Sequence, residues 1–192
     1  MDTPNFFNPY EPLRIHKANL PHWRQQGVIY FVTFRTADSL PREWLATWGE
    51  QRVAWMDAHP QPWSAETQRE YYENFPARLQ HWLDQSHGEC LLAQPDLRAV
   101  VKDTLRFYDN TWYQLDEYIV MPNHVHVLVT PLANTTLAKI IAAWKAYTAR
   151  IINARTGRVG AFWQKESYDH IVRSERALER IRQYIRDNPK KK

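Results

Sequence analysis

The apolar positions of the chain change period several times, and each change marks an element. Val28-Ile-Tyr-Phe-Val-Thr-Phe-Arg35 is dense in β-branched and aromatic residues and predicts a strand. Thr36 to Pro41 reads as a turn, with Ser39 as N-cap and Pro41 in the first turn of a helix over 42–58. The stretch His59-Pro-Gln-Pro-Trp63 breaks that pattern, and a second helix follows over 64–86 with Pro76 as a point of interruption. Pro95-Asp96 opens another helix to about Asp109, with Leu97, Val100, Val101, Thr104, Leu105 and Tyr108 at helical spacing. Two strands come next, 111–121 and 124–130, joined at Pro122-Asn123 as a tight hairpin. Leu137, Ile140, Ile141, Trp144, Tyr147, Ile151 and Ile152 make the buried stripe of a helix over 135–154. Phe162 to Val172 is extended, and Ser174 caps a last helix over 175–187 that stops at Asn188-Pro189. Residues 1–27, with Pro4, Pro9, Pro12 and Pro21, read as irregular. This order predicts an α+β fold, with helices packed on an antiparallel sheet.

Composition narrows the class. A chain of 192 residues suits one domain, 1–192, with a helical insertion at about 42–109 and a basic tail at 190–192. Five glycines argue against a Gly-rich phosphate loop. The single cysteine, Cys90, excludes an intramolecular disulfide and a thiolate zinc cluster, and suits a reducing, cytoplasmic setting. The start of the chain lacks the basic and apolar regions of a secretion signal. No apolar run reaches the roughly 18 to 20 residues of a membrane span. The net charge is +4, yet Arg173 to Lys192 holds eight Lys/Arg against three Asp/Glu, so the rest of the chain sums to −1. A basic patch confined to one end fits either a polyanion such as nucleic acid or a solvated helix face.

The chemistry lies in Met121-Pro-Asn-His-Val-His-Val-Leu-Val129. Side chains alternate along a strand, so His124 and His126 share a face while Val125 and Val127 point to the core. Two imidazoles so placed can converge on one divalent ion, or can be ordinary hydrogen-bonded sheet residues. Two histidines rarely complete a metal site, and the last helix offers Tyr184 and Asn188, four apart and on one face. Read alone, Tyr184 is a core-edge tyrosine and Asn188 a helix stop.

Taken in order, "YIVMPNHVHVLV", "FWQKESYDHIVRS" and "YIRDNP", with "GVIYFVTFRTADSLP" near the front, resemble the single-tyrosine HUH transposases. The subgroup is the REP-associated tyrosine transposases, and the resemblance runs from about Trp23 to Pro189. It implies a ferredoxin-like antiparallel sheet with helices on one face, and Mg²⁺ or Mn²⁺ held by His124, His126 and Asn188. It also implies Tyr184 as a nucleophile that forms a 5′-phosphotyrosine link with single-stranded DNA carrying a hairpin repeat, in a monomer or homodimer. Arg182, Arg186, Lys190, Lys191 and Lys192 would then track the backbone, helped by Arg14, Lys17 and Arg24. Tyr168 is the rival nucleophile. Asp169 and His170 would support the site from behind or contact DNA. The chain departs from the family in its end at Lys190-Lys-Lys192 and in its long insertion, whose Trp44, Trp48, Trp55, Trp63 and Trp82 suit core packing or base stacking. A binding module that no longer cuts, and a metal-dependent phosphodiesterase using water, are the competing functions.

Overall fold

A computed structural model describes residues 5–8, 10–12, 14–17, 21–60 and 62–188; for 14–17, 21–23 and 65 it describes the backbone alone. Lys190, Lys191 and Lys192, and the side chains of Arg14 and Lys17, therefore lie outside the described residues. The chain opens with a short antiparallel hairpin, β1 (Arg14–Lys17) and β2 (Pro21–Arg24). This corrects the irregular reading of the N-terminal region. The strands have four residues each, too few to show alternation, and Pro21 stands at the first position of β2, where a strand tolerates it.

The central sheet comprises β3 (Tyr30–Arg35), β4 (Tyr113–Val120), β5 (His124–Pro131) and β6 (Tyr168–Ile171), in the order β4-β5-β3-β6 and antiparallel throughout. Between β3 and β4 run α1 (Arg42–Ala58), α2 (Ala65–Tyr72), a π-helical turn (Glu73–Ala77), α3 (Arg78–Asp84) and α4 (Pro95–Phe107). Helix α5 (Leu137–Thr156) joins β5 to β6, and α6 (Glu175–Asp187) ends the fold. This βαββαβ order is ferredoxin-like, with an enlarged first crossover.

The alternation of β3 and β5 divides the core in two. Tyr30, Val32, Phe34, Val125, Val127 and Val129 face one side, against Val101 and Leu105 of α4 and Ile140, Trp144 and Ile152 of α5. Phe31 and Leu128 face the other, against Leu178 and Ile185 of α6. Helices therefore lie on both faces, not one, and the face of α6 is the face of the histidines. That helix starts where Ser174 Oγ accepts a hydrogen bond from the Ala177 amide at 3.2 Å.

Pro76 does not break its helix. Proline removes one backbone donor and crowds the preceding turn. The chain widens by one residue into the π turn and continues as α3 to Asp84. Ser39 does not cap α1, because its hydroxyl accepts from Arg35 Nη1 at 3.0 Å and donates to the Thr36 carbonyl at 2.8 Å; Pro41 occupies the N-cap. The tryptophans of the insertion pack on one another and on their neighbours: Trp55 on Trp63 and Tyr71, Trp48 on Phe75, Trp44 on Trp82. Among the described residues no helix is long and apolar enough to cross a membrane.

Candidate metal and nucleophile site

His124 and His126 are fully buried on β5, and their Nε2 atoms face each other at 3.1 Å. The outer nitrogen of each ring is committed elsewhere. His124 Nδ1 lies 2.7 Å from Asn123 Oδ1, and the orientation of that amide is set by its Nδ2, which donates to the His87 carbonyl at 2.8 Å. Asn123 Oδ1 can only accept, so the proton of His124 sits on Nδ1. His126 Nδ1 lies 2.8 Å from the hydroxyl of Thr33, its cross-strand neighbour. Nε2 of His124 therefore carries a lone pair turned toward His126 Nε2, while the Thr33 hydroxyl, able to donate or accept, fixes the His126 ring without fixing its proton. Both outer nitrogens have a hydrogen-bond partner, as metal-binding histidines require, so a cation between the rings would meet two oriented Nε2 atoms. Burial lowers the pKa of His124 to about 3, which keeps its imidazole neutral.

A third ligand comes from a residue the sequence did not single out. Asp84, in the last turn of α3, joins the histidines in a cluster whose ligand atoms all lie within 4.8 Å of one another. Its Oδ1 is 3.8 Å from His124 Nε2. A carboxylate at a helix C-terminus sits against the negative end of the helix dipole, a cost that a bound cation would offset. The cluster is able to coordinate a divalent metal. Asn188, the ligand implied by the family resemblance, is buried at the end of α6, and its Nδ2 donates to Asp84 Oδ1 at 3.3 Å. Its Oδ1 is sealed from solvent with no hydrogen-bond partner, an unsatisfied buried acceptor beside the cluster. A hard cation would satisfy it.

Tyr184 lies on the same turn of α6. Its hydroxyl is 3.2 Å from His126 Nε2, and its ring meets Phe31 edge-on. Its pKa is raised above the ordinary 10, first by burial and then by the charge of Asp84, with a hydrogen bond from Asn188 opposing. Tyr184 and Asp84 both line a cavity of about 730 Å³ along α3.

The other residues singled out in the sequence fall outside this constellation. Tyr168 is the cross-strand neighbour of Thr33, on the histidine face, but its ring contact is with His170 and its pKa is driven up by burial. His170 packs edge-on against Phe31, and burial brings its pKa down to about 4. Asp169 is buried and bonded to Arg24, so it ties the N-terminal hairpin to β6. Arg182 and Arg186 are engaged with β4: Arg182 Nη2 with Asp116 Oδ2 at 2.7 Å, Arg186 Nη1 with Glu117 Oε1 at 3.1 Å. Both acids sit where the β4–β5 register shifts, between Leu115 and Tyr118, and such irregularities re-aim side chains. Missed in the sequence was a row of cations on α4, Arg98, Lys102 and Arg106, lining a second cavity of about 600 Å³ along the edge of β4. None of the three has a carboxylate partner among the described residues. Its signal was their i, i+4, i+8 spacing, set on a helix read for its apolar stripe alone.

Comparison with known proteins bears on the same segment. An uncharacterized protein of Haemophilus influenzae is 26% identical, over 40% of this chain and 54% of its own length, so the chain spans about half of that relative. Among solved structures, a REP-associated tyrosine transposase bound to a REP hairpin is similar over 91% of this chain and 74% of that one, at 15% identity and a TM-score of 0.49. A crystal structure of a candidate transposase from Deinococcus radiodurans R1 is similar over 86% and 93%, at 16% identity and a TM-score of 0.45. Likeness at these levels carries no weight for the chemistry. The family model described as "Transposase IS200 like" matches residues 92–188, half of the chain and the half that carries His124, His126, Tyr184 and Asn188, and the chain belongs to that family.

Proposed function

We propose that the protein is a metal-dependent nicking and joining enzyme of single-stranded DNA, with Tyr184 as its nucleophile. The observation that carries the reading is the Tyr184 hydroxyl 3.2 Å from His126 Nε2, inside a His/His/Asp cluster. His124, His126 and Asp84, with Asn188 Oδ1, would hold Mg²⁺ or Mn²⁺. Such a cation would offset the charge of Asp84, favour the phenolate and neutralise charge on the scissile phosphate. The phenolic oxygen attacks phosphorus, forming the Tyr–O–P bond as the P–O3′ bond breaks. One proton leaves the phenol and one is taken up by the 3′ oxygen. The products are a 5′-phosphotyrosine and a free 3′-OH, and the same hydroxyl or another strand's reverses the step without an energy source.

The DNA is single-stranded with a hairpin repeat, as in the REP-associated subgroup that the motifs resemble. Its backbone would run over the α4 row of Arg98, Lys102 and Arg106, whose charges are not spent on carboxylates, more than over Arg182 and Arg186, whose charges are. The protein works where such DNA is exposed, in the cytoplasm.

The test is a denaturing gel of the protein with labelled hairpin DNA from its own gene's flanks and Mg²⁺ or Mn²⁺. A protein–DNA band lost in Tyr184→Phe, in His124→Ala and with chelator is expected. A band that survives Tyr184→Phe but not Tyr168→Phe would transfer the role to β6. Cleavage without a band would mean hydrolysis by water, and salt-sensitive binding without cleavage a module that no longer cuts.

A further inference from the structure

The cavity along α3 leads away from the nucleophile and has a polar wall with no use in the chemistry above. It is lined by Tyr184 and Asp84 and, along α3 and just past its end, by Gln80, His81 and Gln85. At about 730 Å³ it falls in the roughly 300–1,000 Å³ range of pockets that enclose a small organic group. Gln85 is occupied by its neighbours, since His87 Nε2 and its Oε1 lie 3.0 Å apart. Gln80 is different. The residue is only 9% exposed, yet its side-chain amide makes no hydrogen bond to any described residue, and its polar atoms are not among those sealed from solvent. They open on the cavity. The amide is thus engaged by no side chain or backbone group, and its donor and acceptor are both open to whatever enters the cavity.

The lining selects the ligand class. No lysine or arginine lines this cavity, so away from Tyr184 and the metal ligands its wall offers a phosphate no counter-charge. It offers a neutral amide, an imidazole and the phenol ring of Tyr184, the groups that meet a base edge and a base face. We propose that this cavity is a nucleobase pocket: it takes the unpaired base next to the scissile phosphate, and the Gln80 amide reads that base's edge. The pocket rests on the nicking reaction proposed above, which sets a phosphate at Tyr184 and so brings a neighbouring base to the mouth. Its wall, α3, precedes the family match that begins at residue 92, so the selectivity belongs to this chain's insertion. A glutamine amide pairs its donor and acceptor with adenine, and an acceptor-only carboxylate favours the amino group of cytosine.

The experiment presents the whole protein and Mn²⁺ with single-stranded DNA randomised around a hairpin foot, recovers the covalent adducts, and sequences the DNA on both sides of the cut. Because base preference is a ratio within one sample, it is independent of how much of a variant is folded. For wild type, adenine is expected to be enriched at one position beside the cut, on the order of 5- to 150-fold over the poorest base. Gln80→Leu should level that position alone, and the near-isosteric Gln80→Glu should move it toward cytosine. Identical base distributions in wild type and both variants would overturn the pocket and leave the nicking reaction standing. A wild type that forms no adduct with any DNA in the pool would overturn the reaction, and the pocket with it.

Discussion

Asn123 gives the sharpest test of how the histidine pair is poised. It is fully buried at the turn of the hairpin and is not itself one of the ligands. Its amide bridges the His87 carbonyl, at 2.8 Å, and His124 Nδ1, at 2.7 Å. Asn123→Ala leaves a buried N–H and a part-buried C=O without partners, at about 1–3 kcal/mol each. The sum, roughly 2–6 kcal/mol, corresponds at about 2–4 °C per kcal/mol in a domain of this size to a melting point lower by about 4–24 °C. Freed from its acceptor, His124 can carry its proton on either nitrogen and rotate. Metal affinity should then fall by about 10- to 100-fold, as for other residues that orient a ligating histidine. Asn123→Asp separates the two effects. A carboxylate still accepts from Nδ1–H but cannot donate to His87, so this variant should be destabilised yet bind metal within a few-fold of wild type. Thermal melts in chelator read the stability, and Mn²⁺ titration calorimetry reads the affinity. If folded Asn123→Ala binds Mn²⁺ as tightly as wild type, the tautomer of His124 is not what prepares the site.

Two further outcomes follow from the charges. If DNA phosphates lie on the α4 row, Lys102→Ala should weaken binding about equally for all sequences and reduce the log–log salt slope by about one, while Arg186→Ala, whose partner acids Glu117 and Glu179 stay behind, should change the slope less; equal changes would refute the proposed path. His170 has a folded pKa near 4 against 6.5 unfolded, so between those values the unfolded chain binds more protons and stability falls as the pH is lowered from about 6.5 to about 4, with no contribution above. His170→Phe should remove its share of the slope from urea unfolding measured across the window, leaving the share of His124, whose folded pKa is also lowered; a slope unchanged in the variant would place the acid sensitivity elsewhere.

What was legible in the sequence was whatever neighbouring residues decide. The bounds of α1 and α6 follow from Pro41 and Ser174, whose cap positions depend on a few residues, and in α6 from the stripe that buries Leu178 and Ile185. The shared face of His124 and His126 follows from strand alternation alone. Ser39 was misread because its cap role competes with Arg35, the cross-strand partner of His124, for the same hydroxyl, and that competition is settled by strand pairing. The pairing of Arg182 and Arg186 with Asp116 and Glu117 was hidden for a related reason. The sequence shows the cations of α6, but which acids meet them depends on the register shift in β4.

Asp84 was the deepest omission, and its cause is physical. It comes 40 residues before His124, in the insertion, among other ligand types, His81, His87, Glu89 and Cys90, from which the sequence alone does not single it out. Its one local sign is a carboxylate at the wrong end of a helix. It reaches the histidines because α2, the π turn and α3 run on as one rod past Pro76, and because Leu79 and Leu83 seat that rod on Leu40. A straight α-helix would rotate the last turn by the angle of one residue, about 100° at 3.6 residues per turn, and carry Asp84 off the cluster. The extra residue of the π turn thus does for the insertion what strand alternation does for β5, and the site is complete only when both periods are right.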